Sequence, residues 1–247
     1  MNSKIIFIFL CCTTLACNYP ELGKTTLDLE NFDTNFNIKK FYQGDIDRHR
    51  AYLKQKEELL DQGVTDFQNI EFPEFNIIEI EKQYVTDPKT NEDILFTSRY
   101  KMKSWKPTDS LASYGPLSFS KINMIESDKK DFMGLVASND YAEESKANQL
   151  IQYITQKQGQ PKHVKPLFYD QDRIYVWNTP NYTLAFSKEH NTNISERLKT
   201  YLSKGNPDKS YIKAKLYLIA NQYVDTLKNN IAGEGWANMH IYYRNKR

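Results

Sequence analysis

Apolar positions keep a helical spacing between Asp45 and Gly63. Ile46, Leu53, Leu59 and Leu60 share a narrow stripe with His49 and Lys56, with Asp45 placed to cap it and Gly63 to end it. Beyond Phe72 the period drops to two. Residues 75–81 and 94–100 read as strands joined by a turn over 87–91. Residues 117–125 and 132–136 form a second pair around the polar turn 126–130. A helix follows, capped by Asn139 or Asp140, buried through Leu150, Ile151 and Ile154, and stopped by Gly159 and Pro161. Residues 173–177 and 182–187 flank Asn178-Thr179-Pro180-Asn181 as a third hairpin. Asn193 and Glu196 have capping-box spacing before a short helix with Leu198, Tyr201 and Leu202, which Gly205 ends. Residues 212–218 alternate as a strand or open a helix running toward Leu227, and 236–243 read as a closing strand.

Hairpins with short turns pair antiparallel. The expected fold is therefore α+β, a mostly antiparallel sheet built from hairpins with two to three helices packed on one face. Residues 17–44 are polar and rich in Asn and Asp, and read as a flexible tether. That leaves 45–247 as one domain, with a sub-boundary near 106–115 left open.

The first residues set a destination. Lys4 precedes an apolar run from Ile5 to Leu10, and small residues lead to Ala16-Cys17, the layout of a signal peptide over 1–16. The run is too short for the ~20 residues that span a bilayer. All three cysteines, Cys11, Cys12 and Cys17, lie in this stretch, so the body has no disulfide and no thiolate site. Leu15-Ala16-Cys17 resembles the end of a bacterial lipoprotein signal peptide. The resemblance implies cleavage before Cys17, acylation of that cysteine, and a chain held by lipid on the exported side of the cell envelope. An ordinary signal peptide with an incidental cysteine is the alternative. Cleavage would remove Lys4 from a chain of formal net charge +2, leaving no polybasic patch to assist the lipid.

Composition narrows the partner. With 40% hydrophobic and 13% aromatic residues the 247-residue chain can fill a core, and 33 Lys+Arg against 31 Asp+Glu argue against a general nucleic-acid binder. A mean hydropathy of −0.69 excludes a multi-span membrane protein.

Catalytic signatures are missing. His49, His163, His190 and His240 show no i,i+4 metal pair, and the chain has no P-loop, GxGxxG or GxSxG. Two SxxK spacings, Ser118 to Lys121 and Ser127 to Lys130, fall in strand or turn context. Glu71, Glu74, Glu79 and Glu81 gather around the first strand, where Glu79 and Glu81 share a face. Paired carboxylates serve glycoside hydrolysis, whereas Lys82, Lys101 and Lys103 make cross-strand ion pairs the simpler account. Asp87, Asn91 and Asp93 lack the order of a calcium loop and read as a turn. No catalytic residue, metal or cofactor is expected.

Aromatics carry the binding candidates. Trp105, Trp177 and Trp236 lie in or beside strands, and Tyr175, Tyr182 and Tyr217 join them; filling the core is the competing use of each tryptophan. Tyr242 and Tyr243 are further surface candidates. The expected function is a non-enzymatic, protein-binding envelope lipoprotein, either an assembly factor or a toxin-neutralising immunity-type protein. Carbohydrate binding on aromatic platforms and a hydrolase with a scattered site are the alternatives.

Overall fold

A computed structural model of the chain describes residues 19–87, 89–164, 174–190, 194, 196–203 and 209–230. Eleven strands, four α-helices and a 3₁₀ turn over Asn221–Tyr223 follow one another there. In chain order they are β1 (Leu27–Asp28), α1 (Ile38–Asp61), β2 (Ile78–Thr86), β3 (Asp93–Met102), β4 (Ala112–Tyr114), β5 (Leu117–Phe119), β6 (Lys121–Ser127), β7 (Phe132–Glu143), α2 (Glu144–Gln158), β8 (Lys162–Val164), β9 (Ile174–Asn178), β10 (Tyr182–His190), α3 (Glu196–Ser203), β11 (Tyr211–Ala220) and α4 (Val224–Asn230). The fold is α+β and mostly antiparallel. Eight strands form one antiparallel sheet in the order β2-β3-β6-β7-β11-β10-β9-β8, and β1-β4-β5 form a small second sheet whose β1–β4 pair is parallel.

Alternation along the central strands buries both faces. On β11, Leu216 and Leu218 join the larger apolar cluster while Tyr217 and Ile219 join a smaller one on the opposite face. The helices divide between them, because α1 and α2 contribute Phe41, Tyr42, Leu150 and Ile154 to the larger cluster and α4 contributes Leu227 to the smaller. Helix placement on a single face is corrected accordingly.

The N-terminal segment is the largest departure. Leu22, Leu27, Leu29, Phe32 and Phe36 are all buried in the main cluster, so the tether reading of 17–44 fails from Tyr19 onward. The first helix starts at Ile38, not Asp45, because Asn37 caps it through Oδ1, accepting from the Lys40 N–H at 2.9 Å. Asp45 is a buried mid-helix residue. No boundary falls at 106–115, since Leu111, Ala112, Tyr114 and Leu117 pack in the same cluster as residues before and after them.

Smaller corrections follow from pairing. The strand expected over 117–125 splits at Ser120, its first part serving the small sheet and its second the large one. Neither Asn139 nor Asp140 caps α2: pairing with β11 extends β7 to Glu143, and Asn139 spends its side chain on Ser118 O and Tyr141 N. Gly159 ends α2 with φ of 83°, as its position implied. Residues 211–220 are a strand, which settles the choice between strand and helix there. The closing strand expected over 236–243, with Trp236, His240, Tyr242 and Tyr243, lies outside the described residues, as do Asn193 and Gly205.

Three buried tyrosines make the fold sensitive to alkali. Burial pushes the Tyr42 phenol well up, with Tyr100 adding to it; burial and the Glu126 carboxylate raise Tyr100; burial and Tyr182 raise Tyr114. A raised folded value means the unfolded chain loses its protons first, near pH 10. The contribution of these three groups to stability is thus expected to be constant below about pH 10 and to fall above it. In a pH titration, tyrosinate absorbance of these groups should rise together with loss of the circular dichroism signal; ionisation of every tyrosine in a still-folded chain would contradict it.

Candidate functional site

Helix α1 leaves the core partway along its length. Its buried residues Ile38, Phe41, Tyr42 and Asp45 lie near the N-terminus, and none is buried from Ile46 to Asp61. The exposed half packs on the segment that follows it: His49 stacks on Phe75 at 5.0 Å, Tyr52 meets Phe72 at 4.9 Å, and Lys56 lies over the Phe67 ring. Together with β2 and β3 this makes a lobe at one edge of the sheet. Seven of the eight large apolar side chains exposed among the described residues lie on its elements: Leu53, Leu60, Ile77, Ile80, Tyr84, Val85 and Ile94, with Tyr201 the eighth. Such clustering marks an interaction surface more than scattered exposure does. Among the described residues β2 pairs with β3 alone, so its outer row of backbone N–H and C=O groups has no sheet partner.

A groove of about 650 Å³ sits at the base of the lobe, walled by Lys24, Arg48, Glu74, Phe75, Ser104 and Trp105 among others. Asp45, only 2% exposed, lines it too. Its Oδ1 accepts from Arg48 Nη2 at 2.7 Å and from the Asn76 N–H at 3.0 Å, which ties α1 to the start of the hairpin. Asp45 Oδ2 and Arg48 Nε are buried with no partner. At the rim, a 2.6 Å hydrogen bond from Lys106 holds the Glu74 carboxyl below the usual range and raises Lys106 in turn. The Lys121 ammonium stands 3.9 Å over the Trp105 ring.

The carboxylates of the hairpin are ion pairs. Lys103 reaches Glu79 at 2.6 Å, and Glu81 lies between Arg99 at 3.4 Å and Lys101 at 3.5 Å. The Lys103 hydrogen bond holds Glu79 below the carboxylate range, opposite to what a general acid needs. Asp87 and Asn91 close the hairpin turn, with the Asn91 N–H bonding Asp87 O at 2.8 Å and Asn91 at φ of 57°. Among the described residues no group of three His, Asp or Glu side chains could hold a metal ion. No helix there is long and apolar enough to cross a membrane.

The aromatic candidates do not converge. Trp105 is half-buried in the groove wall. Trp177 is buried and donates its indole N–H to Gly159 O at 3.1 Å, with Tyr175 half-buried and stacked 6.2 Å away. Tyr182 is buried beside Tyr114, and Tyr217 is fully buried in the smaller cluster, which corrects both as surface residues. Trp236 lies outside the described residues. Sequence reasoning missed the Asp45–Arg48 pair, whose i,i+3 spacing was visible, and the exposed apolar set on β2 and β3. Compared with protein-family models, curated proteins and solved structures, the chain matches none.

Proposed function

We propose that this chain is a lipid-anchored protein of the bacterial cell envelope that binds another protein through the α1–β2–β3 lobe and performs no chemistry itself. An assembly factor or a toxin-neutralising, immunity-type protein fits that description. The carrying observation is the gathering of exposed apolar side chains beside an open strand edge. A partner strand added along β2 gains main-chain hydrogen bonds, and alternate side chains such as Ile80 and Tyr84 supply selectivity. Helix α1, which packs on β2 and is tied to Asn76 by Asp45, keeps the hairpin in place for that encounter.

A photo-crosslinking amino acid at Tyr84 in the full chain, expressed in its host envelope, is expected to trap one stoichiometric protein. The control is the double variant Ile80→Asp, Tyr84→Asp. Binding of the trapped protein to that variant should fall at least about tenfold, the equivalent of 1.4 kcal/mol, with the thermal transition unchanged. Undiminished binding would remove the lobe from the reading. The groove favours a second reading, a carbohydrate ligand, because Trp105 and the Asp45–Arg48 pair line one cavity. Sugar titrations that leave tryptophan fluorescence unchanged in wild type would count against it.

A further inference from the structure

Almost no chain lies between Cys17 and the first described residue, Tyr19. Only Asn18 separates Cys17 from Tyr19. Two trans peptide units span at most about 7.6 Å between Cα atoms, so an acylated Cys17 holds Tyr19 at the headgroup level.

Tyr19 is itself fixed to the domain. Its hydroxyl donates to Asn37 O at 3.1 Å and accepts from the Asn37 N–H, and its ring lies 5.4 Å from Phe36. Three residues later Leu22, buried, donates its N–H to Phe41 O at 3.0 Å. Tyr19 and Leu22 are thereby bolted to the N-terminal end of α1.

Positive charge gathers at that end. Lys39 and Lys40 are exposed in the first turn of α1, which carries no acidic residue, and both oppose the positive end of the helix dipole. Lys40 covers the Tyr19 ring at 4.6 Å. The neighbouring charges are Asp33, which faces Tyr19, and the Glu21–Lys24 pair at 2.6 Å. This is a narrow ridge of Tyr and Lys, suited to anionic headgroups once a lipid holds it there.

We infer that the face formed by Tyr19–Lys24 and the first turn of α1 rests on the bilayer surface, so that the domain is docked on the membrane rather than suspended from it. The inference rests on the lipid-anchored reading of Cys17. It also places Gly23, at the edge of the groove, within about 22 Å of the acylated residue along the chain, so the groove opens near the membrane surface.

The test uses the acylated full chain in vesicles of phosphatidylethanolamine and phosphatidylglycerol with a headgroup-nitroxide lipid. Because the chain beyond Cys17 has no cysteine, Lys24→Cys and Lys40→Cys each give a single fluorophore site. Both labels are expected to be quenched. Inserting about 20 Gly/Ser residues after Asn18, a spacer of about 25 Å, should largely abolish that quenching. Acylated protein whose labels stay bright overturns the docked face alone, and quenching that ignores the spacer overturns the short link to Cys17 as what holds it there. A mature mass without acyl chains on Cys17 overturns the anchored reading and this inference with it.

Discussion

Deleting residues 19–37 is expected to abolish folding rather than shorten a leash. The deletion removes Leu22, Leu27, Leu29, Phe32 and Phe36, none more than 8% exposed. At roughly 1.5–3 kcal/mol per buried side chain, their loss approaches the 5–15 kcal/mol that holds a typical domain together. An extended unfolded reference inflates that figure, yet the same cut also removes β1 from the small sheet and the Asn37 cap from α1. The phenylalanines are coupled to what remains: Phe32 lies 4.8 Å from Phe132, and Phe36 lies 5.4 Å from Phe41. Urea unfolding followed by circular dichroism should show a cooperative transition for residues 19–247 and none for 38–247. A shortened chain that unfolds cooperatively within about 2 kcal/mol of the longer one would restore the tether.

That segment also shows where local pattern stops carrying information. Its apolar residues are irregularly spaced, because β1 has two residues and the rest is held by distant partners such as Phe132. Periodicity registers regular elements, and burial of irregular chain is a long-range fact. The hairpins were legible for the opposite reason: β2–β3, β6–β7 and β9–β10 each join alternating residues by a short turn. Tyr217 and Tyr84 make the sharper pair. Both stand in alternating strands, yet β11 is central and covered on both faces while β2 is the sheet's edge. Nothing near either tyrosine encodes strand order, so neither the buried phenol nor the exposed lobe could be assigned from sequence. The Asp45–Arg48 pair was obscured differently, since an aspartate before an apolar stripe reads as a cap.

Gly115→Ala is expected to cost about 2–5 kcal/mol, large for a change of one methyl group at an exposed turn. Gly115 joins β4 to β5 at φ of +50°, a conformation that disfavours any side chain by about 1–2 kcal/mol. A methyl group there would also lie 2.7 Å from Cδ1 and Cε1 of Tyr153. That ring is not free to swing away. Its hydroxyl bonds Glu30 at 2.8 Å, Glu30 also pairs with Lys157, and the Lys157 ammonium stands 4.5 Å over the ring. Two costs therefore add, and they separate experimentally. In a Tyr153→Ala background the steric part has no partner, so the added effect of Gly115→Ala should shrink to the backbone part, about 1–2 kcal/mol. Equal effects in both backgrounds would show that the ring yields and that backbone conformation alone makes glycine necessary there.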